Sequence, residues 1–367
     1  MPKINEILGF LCSFAPLSLA EEWDNVGLLV GDGNMDVTKV FVSLDITSHV
    51  VDEAVLKGAN LIISHHPVIF KPLSAITADG KGNIVFKLVQ NGVSAICMHT
   101  NLDICDNGVN DALAAALELL DIGILKPMTK QDYKKIAVYT PREYAEQIRN
   151  AMTNAGAGRL SNYDSCAFES QGNGFFRPLE GANPFIGTNG IAEKVDEVKI
   201  EVLCSEDNLC NVITAMKKAH PYETPAYDIF NNEAVYKTFG LGRTGKLKNP
   251  MSLYDFAGFV KKKLNCGGIT LCDSGKKSEF VAVCGGADDD SLVQTTAKLG
   301  ADTLIIGELK HSSQIEALEA GINVIIAGHF ETENVICPHL CKLLSQKYQD
   351  VYFDIASENK SPSIMMT

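Results

Sequence analysis

From residue 39 onward, short apolar runs alternate with stretches of helical length that are apolar along one side only. "KVFVSLD" is followed by "VVDEAVLKGA", "NLIISHHP" by "NIVFKLVQNG", and "VSAICMHTNLD" by "GVNDALAAALELL". Runs rich in Val and Ile and separated by helices are the pattern of parallel strands buried on both faces and joined by right-handed crossovers. The alternation returns after residue 250 in "FVAVCGG", "DSLVQTTAKLG", "ADTLIIGE", "HSSQIEALEAG" and "INVIIAGH", closing with "ETENVICPHLCKLLSQKY" and "VYFDIA". Both stretches are therefore predicted to be α/β.

The two stretches also resemble each other. "LKGANLIISHH" can be laid on "KLGADTLIIGE", and "QNGVSAICMH" on "EAGINVIIAGH", each with one extra residue. Two similar α/β half-domains are expected, facing each other or sharing a sheet. Between them the order changes to strand, helix, two strand regions, helix and strand, from "KKIAVYT" to "PAYDIFN", which is the split βαβ or ferredoxin-like plan. The pattern predicts a discontinuous α/β body, 1–127 and 246–367, with an inserted α+β domain at 128–245. The exits "KPMTKQD" and "GLGRTGKLKNP" have the Gly, Pro and Lys content of connectors. Inside the insertion, "AGRLSNYDSCAFESQGNGFFRP" suggests a hairpin, whose edge suits contact between subunits better than cover over a crevice. His220 is expected to cap a helix end as a cation.

Composition narrows the functional classes. Hydrophobic residues make up 46% and charged residues 21%, the range of a folded globular chain. A net charge of -13 repels polyanions, so nucleic acid is not an expected partner, although a bound divalent cation can reverse the field inside one cleft. The eleven cysteines include no CxxC pair and several lie in apolar runs, which suits a reducing cytoplasm. Cys337 and Cys341 fit buried helix packing, with His339 off their face, better than a metal role. "MPKINEILGFLCSFAP" reads as a first amphipathic helix and lacks the marks of a signal peptide. No apolar run reaches the roughly 18 residues of a spanning helix, so a membrane is not expected either.

The candidate chemistry lies at strand ends. In open α/β sheets, ligands bind where parallel strands finish. His65 and His66 close "LIIS", His99 and Asp103 follow "SAICM", Glu308 and His311 follow "TLIIG", and His329 and Glu333 follow "NVIIAG". A histidine alone at such a place is more often structural than a ligand; five of eight within four residues of matching strand ends argue for a shared site. Imidazole with carboxylate suits zinc, manganese, iron or cobalt, with zinc the first choice, better than calcium or magnesium. The donors suffice for two divalent ions about 3.5 to 4 Å apart if a carboxylate bridges them. His65 and His66 would point to opposite faces of a strand, so both can be ligands only if the chain turns at Pro67.

"EEWDNVGLLVGD", "SLDIT", "IISHHPVIFKPL", "MHTNLD", "NGVNDALA" and "GHFETE" resemble the signature segments of the NIF-three-like family, whose bacterial members are commonly labelled GTP cyclohydrolase I type 2 homologs. The resemblance covers the whole chain, with an insertion similar to the PII or CutA type of ferredoxin-like domain. It implies a dinuclear metal site of His65, His66, Asp103, His329 and Glu333, with Asp103 or Glu333 as the bridge, and a toroidal homohexamer. His99, Glu308 and His311 are left as supporting or substrate-facing candidates. Family position puts Asp24 and Asn25 beside the metals, with a plain Asp-Asn turn the equal alternative. Trp23, the single tryptophan, reads as a packing anchor more than a base-stacking platform.

Two functions follow. One is a dinuclear divalent-metal hydrolase in which metal-activated water attacks a nucleotide or other small phosphorylated substrate. His99, Glu308 and Asp24 are its possible helpers. "LGRTGK" lacks the spacing of a P-loop, so the sequence supports no P-loop contact to nucleotide phosphates. The other is a metal-binding regulator or scaffold whose PII-like domain senses a small molecule.

Overall fold

The computed structural model describes residues 1–80, 82–160, 162–287 and 291–363. They form two compact units, one made of residues 1–129 and 239–367, the other of residues 130–238.

In chain order the first stretch contains α1 (Ile4–Phe14), β1 (Gly27–Val30), β2 (Lys39–Ser43), α2 (Ser48–Leu56), β3 (Leu61–Ser64), α3 (Asn83–Gln90), β4 (Ser94–Cys97), α4 (Thr100–Ile104) and α5 (Val109–Ala116). The long strand β5 (Leu120–Pro141) leads into the insertion, which contributes α6 (Ala145–Asn154), β6 (Ala167–Phe176), β7 (Glu193–Ser205) and α7 (Leu209–Ala219). The returning strand β8 (Tyr227–Met251) precedes α8 (Leu253–Lys263), β9 (Thr270–Cys272), β10 (Ser278–Ala287), α9 (Leu292–Leu299), β11 (Thr303–Glu308), α10 (His311–Glu319), β12 (Asn323–Ile326), α11 (His329–Glu333), α12 (Ile336–Lys347) and β13 (Tyr352–Ile355).

The two α/β stretches build separate sheets. The first has the order β1-β4-β3-β2-β13, parallel except for β1. Its closing strand comes from the far end of the chain, so the C-terminal segment completes the N-terminal sheet. In the second, β10, β11 and β12 are parallel and are flanked by antiparallel β8 and β9. Every residue of β3 and β4 is buried, which is why these strands show no alternation of apolar and polar positions. Ile4, Ile7 and Leu11 form one stripe of α1 and enter the same core as Leu340 and Leu344 of α12. Cys337 lies in that core and Cys341 packs on it, as helix packing requires.

Two polar anchors hold the body together. Arg243, 2% exposed, donates from Nε and Nη2 to the two carboxylate oxygens of Asp111, each at 2.8 Å, and its remaining donors reach the carbonyls of Cys105, Gly240 and Gly242. A buried guanidinium with its fork fully used is compensated for lost water. The second anchor is Glu53 of α2, which accepts from Lys57 and from the C-terminal residues Ser357 and Glu358. Burial alone would raise this carboxyl, but those donors outweigh it and hold it at about 2.

The insertion runs β5-α6-β6-β7-α7-β8, with sheet order β6-β7-β5-β8 and antiparallel β6-β7 and β7-β5 pairs. Ile136, Val138, Ile148, Met152, Ile200, Val202, Val212 and Met216 form its own core. The segments read as connectors, 126–132 and 240–250, lie inside β5 and β8; ladder pairing overrides their Gly and Pro content. Within the Gly- and Asn-rich run, Ala167–Phe176 forms edge strand β6. His220 is the C-cap residue of α7, as expected, but not as a cation: its Nε2 donates to the Tyr139 carbonyl and its Nδ1 accepts from the Tyr222 amide. Burial lowers its pKa, so it joins two segments as a neutral ring.

Replacing Arg243 by Ala is expected to cost about 3 kcal/mol, because it strands a partly buried carboxylate and three carbonyls; chemical denaturation measures it. For Glu53 the sign follows from a folded pKa depressed below the ordinary 4.5. Its contribution is full above that value and is lost as pH falls towards 2. The stability difference between the parent chain and Glu53→Gln should therefore shrink across that acid window and stay constant above it.

Candidate metal centre

The site grows from the ends of three parallel strands. β3 stops at Ser64, and the chain bends at His65 and His66 themselves, held by His65 N–H to the Ser43 carbonyl at 3.3 Å and His66 N–H to the Leu44 carbonyl at 2.9 Å. The turn thus begins two residues before Pro67, where the sequence had put it. Because both histidines lie beyond the last pleat, alternation no longer sends them to opposite faces. His99 follows β4 as the cap residue of α4, with Asp103 one turn further. Gly328, at φ +97, ends the loop after β12 and starts α11, where His329 and Glu333 stand four apart on one side.

These residues converge. Among the described residues, three groups of donors suited to a metal ion are present: His65, His66 and His99; His66, His329 and Glu333; and His65, Asp103 and Glu333. Within each group the ligand atoms lie within 4.8 Å of one another. Glu333 belongs to two groups and directs different oxygens at them. Its Oε1 lies 3.8 Å from His65 Nε2, while its Oε2 lies 3.0 Å from His66 Nε2 and 3.1 Å from His329 Nε2. Asp103 Oδ1 is 3.6 Å from His65 Nε2.

All four imidazoles are oriented alike. Their Nδ1 atoms face an oxygen: the Met98 carbonyl at 2.9 Å for His65, Asp45 at 2.8 Å for His66, Asp24 at 2.8 Å for His99 and Glu308 at 3.2 Å for His329. A hydrogen bond at Nδ1 leaves Nε2 as the ligand atom and raises its basicity, the arrangement typical of metal-binding histidines. The centre also fits a cation by what it lacks. His65 Nε2, Asp103 Oδ1 and Glu333 Oε2 are buried without a hydrogen-bond partner of adequate geometry, and all three residues belong to the donor groups above. Leaving such atoms unsatisfied is costly, and divalent ions held by these groups would satisfy them.

Charge in the site is mutually adjusted. Burial disfavours protonated His65 and His66, but the neighbouring carboxylates outweigh it, raising His65 and pushing His66 up to about 10. His329 is raised by Glu333. Burial would raise Glu333 too, yet the three imidazoles hold it well below its ordinary value. Asp103 goes up, through burial and the repulsion of Glu333. Asp24 is fully buried, and its bonds to His99 and to the Thr100 amide and hydroxyl overcome desolvation and lower it to about 2.

Other expected residues fall at different distances. Glu308 sits at the exposed rim against His329. His311 starts α10, is exposed, and belongs to none of the three donor groups. Asn25 donates to the Ile69 carbonyl at 2.5 Å, tying the two loops beside the site. Trp23 is not a packing anchor: it is 60% exposed, with its ring 5.8 Å from half-exposed Phe70 and 6.2 Å from His99. The sequence reading missed Asp45, although "SLDIT" contains it, since its role depends on β2 lying beside β3. It also missed the glycine cradle. A Cβ on Gly286, which has φ +70, would collide with Glu333 Oε1, and the Gly286 amide is held by Thr332 at 3.1 Å. Asn110 joins the two sides, donating to the Asp103 carbonyl and accepting from the Gly285 amide.

Residues 2–362 match the Duf34/NIF3 (NGG1p interacting factor 3) family. The chain belongs to this family. A NIF3 relative from Bacillus subtilis (strain 168), named GTP cyclohydrolase 1 type 2 homolog, is 41% identical over 352 residues, covering 95% of this chain and 94% of the relative. A like-named NIF3 relative of Halalkalibacterium halodurans is 39% identical over 355 residues, 95% of each chain. Among solved structures, a Bacillus cereus protein related to NIF3 superposes with TM-score 0.90 at 37% identity, covering 100% of this chain and 99% of its own. Staphylococcus aureus protein SA1388 does so with TM-score 0.75 at 33% identity over 100% and 99%. No helix among the described residues of this NIF3-family chain is long and apolar enough to cross a membrane.

Elemental analysis and competition with a chelator should show metal bound by the parent chain. Asp45→Ala, which frees the His66 ring, and Gly286→Ala, which displaces Glu333, are each expected to weaken binding by about ten- to a hundred-fold. Circular dichroism should show both still folded.

Proposed function

We propose that this chain is a hydrolase that holds two divalent metal ions, zinc first and manganese, iron or cobalt as alternatives, among His65, His66, His99, Asp103, His329 and Glu333. The observation that carries the reading is the overlap of three donor groups that share His65, His66 and Glu333 and that hold three buried side-chain atoms, His65 Nε2, Asp103 Oδ1 and Glu333 Oε2, without a hydrogen-bond partner of adequate geometry. Such a pair of ions supplies Lewis acidity and a water nucleophile at neutral pH. Glu333 is the bridging candidate, because its two oxygens face different histidines.

The chain's own residues divide the remaining work. Asp24 is engaged by the His99 ring, the Thr100 amide and hydroxyl and the Asn25 amide, and serves to fix the His99 ring. Asp45 does the same for His66. Glu308, with a side chain 64% exposed at the rim, is the group able to take up or return a proton. Trp23 and Phe70 offer exposed ring faces beside His99, which suits a substrate carrying a ring, such as a nucleotide, more than a bare phosphate ester. The relatives named GTP cyclohydrolase 1 type 2 homolog make GTP the first compound to test.

The wider reading is a homohexameric toroid in the cytoplasm with a PII/CutA-like insertion at 128–245; the order β6-β7-β5-β8 supports the ferredoxin-like part of it. A metal-binding regulator is the second reading, favoured by an insertion with its own core and its own cavity.

Metal-reconstituted protein assayed with GTP and a panel of phosphate esters is expected to turn over at least one, and His65→Ala and Asp103→Ala should each reduce the rate by about a hundred-fold or more. Turnover that survives both removes the hydrolase reading. No turnover with any substrate favours the regulator. As Trp23 is the only tryptophan, ring-bearing substrates should quench the intrinsic fluorescence and ribose 5-phosphate should not.

A further inference from the structure

The inserted unit contains a cavity of about 300 Å³ that the metal chemistry does not use. It lies where the end of β6, the loop after it, β7 and the segment after α7 meet. Its walls are aromatic. Tyr222 stands 5.9 Å from Phe176 and 6.4 Å from Phe185, both at tilted angles, and Tyr144 braces Phe185 edge-on at 5.5 Å. Phe185 is half-exposed, so apolar surface remains open to a guest.

The same cavity is lined by two carboxylates, Glu197 and Glu223, against one guanidinium, the exposed Arg177. Glu197 is built into its place. Its Oε1 accepts the Tyr222 hydroxyl at 3.0 Å, and its carboxylate occupies space that a Cβ on Gly174, another lining residue, would take. Glu223 Oε1 accepts the Asn183 amide at 3.2 Å, which fixes the loop carrying Phe185. The Tyr222 backbone is fixed in turn by neutral His220.

We propose that this cavity binds a small organic cation, an ammonium or guanidinium on a flat or apolar body, with the positive group at Glu197 and the body between Phe176, Phe185 and Tyr222. Aromatic faces attract a cation through their quadrupole, and the attraction grows as water is excluded. An uncharged apolar guest would strip water from Glu197 and give nothing back, while an anion would face two like charges. A cation answers both. The site stands on residues of the insertion alone and holds whether or not the metal centre is a hydrolase.

Isothermal titration of the full-length chain with benzamidinium, its neutral isostere benzamide, and benzoate tests this. Benzamidinium is expected to bind at least about ten-fold more tightly than either, the discrimination that one desolvated charge contact supports. Glu197→Gln and Phe185→Ala should each weaken it by about ten-fold, and His329→Ala, at the metal centre, should leave it unchanged. Phe185 is in an exposed loop, so its variant remains informative if Glu197→Gln fails to fold. Equal binding of benzamide, insensitivity to both cavity variants, or loss of binding in His329→Ala would each overturn the proposal. So would absence of binding together with self-association that Phe185→Ala abolishes, because the cavity would then be covered by a second copy of the chain.

Discussion

A carboxylate removed from water must be compensated, and Glu333 is 4% exposed in the middle of three imidazoles. Much of the α/β body can be understood as meeting that requirement. Gly285 and Gly286 leave room for the carboxylate, the chain beyond β3 delivers His65 and His66 to it, and α11 presents His329. Compensation by imidazole alone is incomplete, since Glu333 Oε2, Asp103 Oδ1 and His65 Nε2 lack hydrogen-bond partners. A site with this donor set and this deficit is suited to cations in a way that a hydrogen-bonded polar core would not be.

The orientation of the candidate donors is set by groups beyond them. Asp45, Asp24, Glu308 and the Met98 carbonyl each fix one ring. The loop bearing Asp45 is in turn held by Asn359, whose Oδ1 accepts from the Leu44 amide and whose Nδ2 donates to Asn334 after α11. One C-terminal residue thereby spans the two sides of the site, and Glu53 fastens the same segment to α2. With β13 completing the first sheet, the segment from β13 onward serves the site as much as the strands that bear its donor residues. The insertion follows a separate logic: its core closes on itself, and its polar groups face a cavity of its own.

The α/β character was legible because buried parallel strands leave unbroken apolar runs, and strand-end histidines are unusual enough to be seen by position. His65, His66, Asp103, His329 and Glu333 could be named on that ground together with the family resemblance. Boundaries were less legible. The Gly and Pro of 240–250 suggested a connector, but pairing of β8 with β10 made them strand.

What the sequence by itself determined is therefore the kind of chain, the order of its elements and the residues rich in metal-binding chemistry, since these depend on local periodicity and on residue type. Only the tertiary structure decided which partners orient those residues. Asp45 reaches His66 because β2 lies beside β3, His99 joins the donors because Asp24 turns its ring, and Trp23 stays in solvent although its composition suggested burial. Such relations are set by contacts between residues distant in the chain, and no local pattern carries them.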